Sequence, residues 1–377
     1  MTVPLQYASR DCPICGSGDF ECLDRRIEDN LVATGTVEFE VSDGICRGCG
    51  FVYANPCPDQ DSLDGYYTAK FLHSVGVTDY DMDYRLDHLA RVGGDRRTVL
   101  EVGANEGSFV RKLAERGYDA AGLDLIEETA RLGYGADGDG RRQVDLVVGS
   151  HVLEHIVDPG AFLRDCQDRL NPTGRVIFEV PNLHLYGAYS SAVFCEHVSH
   201  FSPALLAGLL RRSGFEVVDL EFGQPGRPIG FVVTAERVET AEGLTLPNEY
   251  EVNRAYFLTA ASVLRERRET RRRMMRSIAA KAGEKAIAFW GANHFLIESL
   301  KEMPDDDTPE ILVVDINDER WGQMVDPRFP IPICNPGILD GNDRVDTVVI
   351  CALAAAKEIR GLLSRYGYDE PQILESP

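Results

Sequence analysis

The stretch "RRTVLEVGANEGSFVRKLAERGYDAAGLDL", residues 96–125, decides the fold of this chain. It predicts a strand, a glycine-rich turn from Gly103 to Gly107, a helix over 108–116 and a second strand that ends in Asp124. Small residues in such a turn let the backbone approach a ligand closely, and an acidic side chain at the end of the second strand can accept both hydroxyl groups of a ribose. The stretch therefore predicts an α/β unit that binds a nucleoside.

The turn reads Gly103-Ala-Asn105-Glu-Gly107, so it lacks the third glycine of the G-x-G-x-x-G fingerprint for NAD. Together with Glu101 it instead resembles the first motif of class I S-adenosylmethionine-dependent methyltransferases. Those enzymes bind a nucleoside without a pyrophosphate, so they need no phosphate-binding helix terminus. The resemblance implies S-adenosylmethionine as cofactor, held near Glu101, Gly103, Asn105, Gly107 and Asp124. Another nucleotide is the alternative.

The continuation "VDLVVGSHVLEHIVDPGAFLRDCQDRLNPTGRVIFEVPN", residues 144–182, predicts a strand, a loop, a helix and a further strand. It resembles the fourth and fifth strands of the same fold, which places Ser150 and His151 at the cofactor edge. Open α/β sheets bind ligands at the carboxyl ends of their strands. We therefore expect Asp124, His155 and the segment after the fifth strand to share one edge of the sheet.

The segment "FCEHVSHFSP", residues 194–203, follows that strand and contains Glu196, His197 and His200. A histidine with an ordinary pKa is suited to proton transfer near neutral pH. His197, Glu196 and, from the preceding loop, His155 are the candidates for acid–base chemistry, whereas we expect His200 to be structural. The alternative is that these histidines only cap helices or bind backbone carbonyls.

Four of the ten cysteines form two C-x-x-C-G motifs separated by 30 residues, Cys12/Cys15 and Cys46/Cys49. Four thiolates that converge tetrahedrally are typical of a closed, structural zinc site. Redox motifs or unbonded buried cysteines are the alternatives. The other six cysteines show no partner spacing and are interpreted as single thiols.

The composition limits the classes of function. Of 377 residues, 44% are hydrophobic, which is enough for a sizeable core, and the length fits two or three domains. A net charge of −22 argues against binding to nucleic acid or to an anionic membrane. The sequence shows no apolar run of membrane-spanning length and no signal peptide, so we expect a cytoplasmic protein.

The last third begins with an arginine-rich helix, 250–282, which we interpret as a solvated connecting helix. A second strand–turn–helix follows at 285–300, and a strand that ends in Asp315 comes after it. Only Gly291 marks this second turn, so a scaffold or substrate-gripping role is favoured over a cofactor site. The sequence predicts a zinc-binding module at 1–75 and a methyltransferase domain at 76–240. A C-terminal part at 241–377 contains the connecting helix and a smaller Rossmann-like domain.

This order of domains resembles the sugar C-methyltransferase family, and the resemblance covers nearly the whole chain. Those enzymes methylate carbon 3 of nucleotide-linked 4-keto-deoxysugars. The resemblance assigns the family's zinc ligands to Cys12, Cys15, Cys46 and Cys49, and its polar site residues to His155, Glu196 and His197. Three positions where the family usually has tyrosine differ in this chain, namely Phe71, His73 and Phe194.

The resemblance implies a reaction through an enolate. His197 removes the acidic proton beside the ketone, Glu196 orients His197 or a substrate hydroxyl, and His155 lies near the enolate oxygen. Two alternatives stay open: methyl transfer to oxygen or to another carbon acid of a small molecule, and a non-catalytic scaffold. The sequence does not name the acceptor, its nucleotide or the oligomeric state.

Overall fold

Alternating and continuous apolar runs form three successive sheet-containing units along the chain. They are seen in a computed structural model that describes residues 4–32, 35–71, 82–105, 107–125, 143–188, 193–224, 227–239, 245–304, 309–326, 328–369 and 373–375. The described strands form a two-stranded ribbon, one four-stranded sheet and two six-stranded sheets.

The first unit is built around a long antiparallel hairpin. Its elements are β1 (Tyr7–Ala8), β2 (Phe20–Val32), β3 (Gly35–Cys46), β4 (Val52–Ala54), β5 (Cys57–Pro58) and helix α1 (Gln60–Phe71). The order of strands in the four-stranded sheet is β10-β4-β3-β2, where β10 (Ser199–His200) comes from a distant part of the chain. Because β10 pairs with β4, the segment that carries Glu196 and His197 is attached to the cysteine-rich module.

The second unit is the predicted α/β domain. Its elements are α2 (Asp83–Gly93), β6 (Thr98–Val102), α3 (Ser108–Glu115), β7 (Asp119–Leu123), β8 (Val144–Ser150), α4 (Pro159–Arg169), β9 (Leu170–Pro181), α5 (Pro203–Arg212), β11 (Phe215–Gln224) and β12 (Arg227–Arg237). The strand order is β11-β12-β9-β8-β6-β7, with β7, β6, β8 and β9 parallel. The chain crosses from one side of β6 to the other between β7 and β8. That crossing makes the carboxyl ends of β6 and β8 the expected ligand crevice.

The third unit is a smaller α/β sheet. It contains β13 (Ala286–Trp290), α7 (His294–Leu300), β14 (Ile311–Val314), β15 (Met324–Asp326), β16 (Phe329–Cys334), β17 (Val345–Ile350), α8 (Ala356–Arg365) and β18 (Ile373–Glu375). The order is β15-β16-β14-β13-β17-β18, and only the pairing of β15 is antiparallel among these described strands. Both faces of the sheet are covered by apolar clusters, so this unit has a core of its own. The predicted fold class, an α/β chain with two Rossmann-like sheets, is confirmed.

A single long helix, α6 (Tyr250–Ala282), joins the second unit to the third. Its predicted limits are confirmed, but the interpretation as a solvated helix holds for only part of its surface. Phe257 and Met275 are fully buried, and Arg265 and Arg268 form ion pairs with acidic residues of strand β2. The arginines therefore fasten the helix to the first unit.

The first unit packs closely against the rest of the chain. Each C-x-x-C-G motif forms a tight turn, which we call a knuckle. Cys12, Cys46 and Cys49 share one apolar cluster with Phe51, which follows the second knuckle, with Phe201 and with the buried leucines of α5. A Cβ atom on Gly50 would lie 2.3 Å from the backbone nitrogen of Tyr250, so only glycine lets α6 begin there.

The predicted domain limits, 1–75, 76–240 and 241–377, stay predictions. Among the helices that the structure describes, none combines the length and the apolar character that a membrane span requires.

Candidate functional site

The predicted cofactor turn is a tight loop between β6 and α3. Gly103, Asn105 and Gly107 have φ values of +69°, +45° and +71°, in the left-handed region that favours glycine and tolerates asparagine. A Cβ atom on Gly103 would lie 2.6 Å from Cγ2 of Val152. The backbone N–H of Asn105 donates to Oδ2 of Asp124 at 2.7 Å. The turn and the predicted ribose-binding carboxylate are therefore in direct contact.

Two buried carboxylates lie at the same end of the sheet. Glu101 accepts a hydrogen bond from Nη2 of Arg85 at 2.9 Å, and burial, opposed by Arg85, raises the pKa of Glu101. Oε2 of Glu179 accepts hydrogen bonds from Ser150 and Tyr84 at 2.6 and 2.7 Å. The second oxygens of Glu101 and Glu179 are buried and have no hydrogen-bond partner within the described part of the chain. Each is an acceptor suited to a ligand donor.

His151 connects this end of the sheet with the candidate acid–base residues. Its φ of +55° is unusual for a residue with a side chain. Nδ1 of His151 lies 2.8 Å from Oε1 of Glu154, and Nε2 lies 3.8 Å from Glu179. Burial would raise the pKa of the Glu179 carboxyl, but His151, Ser150 and Tyr84 lower it to about 2. His151 thus lies between two ionised carboxylates.

The imidazoles of His155 and His197 lie next to each other, although the two residues are 42 positions apart in the sequence. Their ring centroids are 4.9 Å apart in an edge-to-face arrangement. The carboxylate of Glu154 lies close to both rings and is 1% exposed. Burial would raise the pKa of Glu154, but His151, His155 and His197 lower it to about 2. Glu154 is therefore ionised although it is buried.

Tyr67 and the backbone of Glu196 determine which nitrogen of His155 is protonated. Nδ1 of His155 lies 2.7 Å from the Tyr67 hydroxyl and 3.0 Å from the carbonyl oxygen of Glu196. A carbonyl oxygen can only accept, whereas a hydroxyl can donate or accept, so the hydrogen bond to Glu196 belongs to the tautomer with a proton on Nδ1, in which Nε2 is the nitrogen left for proton exchange. Burial, and then the charge of Glu196, raises the pKa of Tyr67 well above its ordinary value. The Tyr67 hydroxyl is therefore neutral.

The side chain of Glu196 is held by two other residues. Oε1 of Glu196, which is 5% exposed, accepts a hydrogen bond from Nδ2 of Asn30 at 2.7 Å and another from the Tyr66 hydroxyl. Burial, followed by the charge of Glu196, raises the pKa of Tyr66 well above its ordinary value. The carboxylate of Glu196 is thus bound between the hairpin of the first unit and helix α1.

The remaining predicted positions fall into three groups. His200 is fully buried, 3.3 Å from the Tyr186 hydroxyl and 3.5 Å from Asp43, which agrees with a structural role. The rings of Phe194 and His197 lie edge-to-face with their centroids 6.1 Å apart. An apolar side chain, referred to below as the wall beside His197, therefore occupies the position where the sugar C-methyltransferase family usually has a tyrosine. Phe71 ends helix α1, but its side chain and the whole of His73 lie outside the described residues.

Sequence reasoning missed several residues that line this region: Asn30, Tyr66, Tyr67, Tyr84, Arg85, Glu154 and Glu179. The acidic residue within the apolar run of "RVIFEV" was a signal for Glu179, because an ionised group in a buried strand needs a partner. The adjacent tyrosines in "YYTAKF" were a weaker signal. For Asn30, which lies on a hairpin 166 positions from its partner, the local sequence carried no signal.

Side chains with metal-binding capacity form three groups in the described part of the chain. In the cysteine group the Sγ–Sγ distances are 3.7 Å for Cys12 and Cys49 and 3.5 Å for Cys15 and Cys46. Zn–S bonds of about 2.3 Å place tetrahedral sulfurs roughly 3.8 Å apart, so the four thiols fit zinc. All ten cysteines are described, and none forms a disulfide.

The other two groups contain carboxylates and histidines. In the group around His88, Arg91 forms ion pairs with both carboxylates, at 2.9 Å to Asp219 and 2.6 Å to Glu221. A guanidinium therefore already neutralises that group. In the group of Glu154, His155 and His197, Nδ1 of His155 is bound by Tyr67. We interpret this last group as acid–base residues.

Comparison with known proteins places a family on the second unit. The family described as "Methyltransferase domain" matches residues 78–220. Three similar relatives are ubiquinone biosynthesis O-methyltransferases. That of Idiomarina loihiensis is 27% identical over 125 residues, 28% of this chain and 51% of the relative. That of Bordetella avium is 26% identical, over 35% of this chain and 68% of the relative. That of Neisseria meningitidis serogroup C is 28% identical, over 40% of this chain and 74% of the relative. The chain thus spans about half the length of the first relative.

Solved structures with some similarity are also methyltransferases. A 1,6-didemethyltoxoflavin-N1-methyltransferase of Burkholderia thailandensis, with bound 1,6-didemethyltoxoflavin and S-adenosylhomocysteine, has a TM-score of 0.40 at 18% identity and covers 50% of this chain and 96% of its own. An S-adenosylmethionine-dependent methyltransferase of Archaeoglobus fulgidus has a TM-score of 0.34 at 19% identity, with 41% and 91% covered. The family match assigns a methyltransferase domain to residues 78–220 of this chain.

Proposed function

We propose that this enzyme, whose second unit is an S-adenosylmethionine-dependent methyltransferase domain, methylates carbon 3 of a nucleotide-linked 4-keto-deoxysugar. The observation that carries the proposal is the pair of imidazoles, His155 and His197, beside the buried carboxylate of Glu154. Such a group can remove a proton from carbon and then hold it, which methyl transfer to a carbon acid requires. The order of the three units, which resembles the sugar C-methyltransferase family, supports the same acceptor.

Several predicted residues fit the cofactor. The ribose hydroxyls would be bound by Asp124, and the Gly103–Gly107 turn leaves room for close backbone contact. An amino group of the cofactor would be bound by the oxygens of Glu101 and Glu179 that accept no hydrogen bond from the described residues, with Ser150 and His151 beside them. Bound S-adenosylmethionine supplies an electrophilic methyl group on a positively charged sulfur. The buried carboxylates at this edge complement that charge.

His197 is proposed as the base. It takes the proton from the carbon beside the ketone, and the electron pair of that C–H bond moves to the ketone oxygen as an enolate. Protonated His155 can donate from Nε2 to this oxygen, because its Nδ1 is bound by the Glu196 carbonyl. The ionised carboxylate of Glu154 lies beside both imidazoles. Glu196 is proposed to bind a substrate hydroxyl or to orient the loop that carries His197.

The cysteine group is proposed to hold one structural zinc ion. All four coordination positions would be filled by sulfur from Cys12, Cys15, Cys46 and Cys49, so the ion would have no open position for chemistry. The second knuckle lies next to β4, and β4 pairs with β10. The zinc ion is therefore expected to support the loop of His197 at a distance.

Methyl transfer to oxygen is the second candidate, and it has a specific observation in its favour. The three relatives described above are named O-methyltransferases. In that reaction His197 would deprotonate a hydroxyl group. The wall beside His197, formed by Phe194 in place of a tyrosine, is compatible with a less polar acceptor.

The position of the new methyl group decides between the two candidates. The enzyme is incubated with methyl-¹³C-labelled S-adenosylmethionine and either nucleotide-linked 4-keto-deoxysugars or small phenols and enols. We expect a carbon-bound methyl group on the sugar in the product NMR spectrum. A methyl group on oxygen, or turnover only with phenols, contradicts the C-methyltransferase proposal and supports the second candidate.

The role of Asp124 gives a separate prediction. Asp124→Ala is expected to weaken binding of S-adenosylmethionine by about 1.5–3 kcal/mol, as for a lost hydrogen bond to a charged group, and calorimetry measures the change. Asp315→Ala is the matched control. Oδ2 of Asp315, in the third unit, accepts a hydrogen bond from the backbone N–H of Ala292 at 2.7 Å, the same distance as between Asp124 and the backbone N–H of Asn105. Equal affinity of Asp124→Ala and the wild type contradicts the assignment.

A further inference from the structure

Strand β2 presents its side chains to two different partners. Neighbouring side chains on a strand point to opposite faces, so Glu28 and Asn30 share one face and Asp29 lies on the other. Oε2 of Glu28 accepts from the backbone N–H of Cys195 at 2.9 Å, and Nδ2 of Asn30 donates to Oε1 of Glu196 at 2.7 Å. One face of this strand therefore holds two consecutive residues of the segment that leads into His197.

The opposite face of the strand is bound by the third unit. Asp29, which is 3% exposed, forms ion pairs with Lys301, just after helix α7, and with Nη1 of Arg328, the latter at 3.0 Å. On the face that holds the segment of Glu196, Arg268 of helix α6 donates a hydrogen bond of 2.7 Å to Oε1 of Glu28. The strand is thus clamped between the third unit and the candidate catalytic loop.

We propose that Asn30, on a strand whose other face is bound by the third unit, is a positioning residue for Glu196. This inference rests on the proposed function, in which Glu196 takes part in the reaction. A buried carboxylate needs donors to remain ionised, and a donor on a regular strand fixes its position better than a donor on a loop. Asn30 is 4% exposed, so water does not replace its hydrogen bond.

Two substitutions at Asn30 test the proposal. Asn30→Ala removes the donor, and we expect kcat to fall by about 10- to 100-fold, as for a lost bond to a buried charge, with unchanged affinity for S-adenosylmethionine. Asn30→Asp places a second carboxylate beside Glu196. Like charges raise the pKa of one member of such a pair, so the acidic limb of the kcat profile is expected to move to higher pH.

The matched control is Asn171, whose Nδ2 donates to Oδ1 of Asp145 at 2.8 Å, remote from the site. Asn171→Ala and Asn171→Asp are expected to leave the pH profile unchanged. The contrary result is that the Asn30 variants keep the wild-type pH profile, while they bind S-adenosylmethionine more weakly and unfold at lower temperature in proportion to their lost activity. In that case Asn30 is only structural and the proposal is wrong.

Glu196→Gln separates failure of the inference from failure of the proposed function. If Glu196→Gln retains the wild-type kcat, the assigned role of Glu196 is wrong, and the inference fails with it. If Glu196→Gln is slow but both Asn30 variants match the wild type in kcat and pH profile, only the inference is overturned. Slow Glu196→Gln together with the predicted Asn30 effects supports both.

Discussion

His197→Ala is expected to abolish both exchange of the substrate's α-hydrogen with deuterated solvent and methyl transfer. Loss of a positioned general base lowers a rate by about 10²- to 10⁴-fold. The affinity for S-adenosylmethionine is expected to stay near the wild-type value, because the proposed cofactor contacts come from the ends of strands β6 to β9 and the turn at Gly103, and none comes from the segment 194–203. Exchange is measured by mass spectrometry without cofactor, and methyl transfer is measured with it.

Two further histidine variants make this result specific. His155→Ala is expected to slow exchange without abolishing it, since the base remains. His184→Ala is the control, because His184 is bound 2.9 Å from Asn253 and stacks on Tyr256, outside the imidazole pair. Methyl transfer by His197→Ala at nearly the wild-type rate would show that the pair is structural. Loss of exchange with normal methyl transfer would point to an acceptor without an acidic carbon.

Cys49→Ala is expected to release the proposed zinc ion and to lower the free energy of unfolding by several kcal/mol, on the order of a third of what structural zinc contributes in small peptides. The knuckle that contains Cys49 shares a core with Phe201 and precedes β4. Methyl transfer is therefore expected to fall as the His197 loop loses its support, while the second unit still binds S-adenosylmethionine. Elemental analysis, thermal unfolding and calorimetry measure the three effects.

Cys22→Ala is the matched control for the zinc site. Cys22 is exposed on strand β2 and lies outside the four-cysteine group, so this variant is expected to keep one zinc ion per chain and the wild-type stability. A wild-type protein without metal, a Cys12–Cys49 disulfide in reducing buffer, or full metal content in Cys49→Ala would each contradict the proposal.

Local patterns were sufficient for the parts of this protein whose structure depends on neighbours in sequence. The glycine turn between β6 and α3, the limits of helix α6 and the two C-x-x-C knuckles could all be predicted, because periodicity, turn chemistry and ligand spacing act over a few residues. The positions of Asp124 and His151 at one edge follow from the same patterns, since parallel strands align their carboxyl ends.

The rest of the candidate site depended on contacts that no local pattern encodes. Asn30 and Tyr66 reach Glu196 across 166 and 130 positions of sequence, and strand β10, which has only two residues, is too short to show a period of two. The environment of Glu154 is likewise a tertiary property, because its low pKa comes from imidazoles that two separate loops bring together inside a buried space. The sequence alone thus determined which of these elements form and which edge of the sheet is proposed to bind the cofactor. Only the tertiary structure decided which side chains face one another there, because burial and charge pairing arise when distant elements pack.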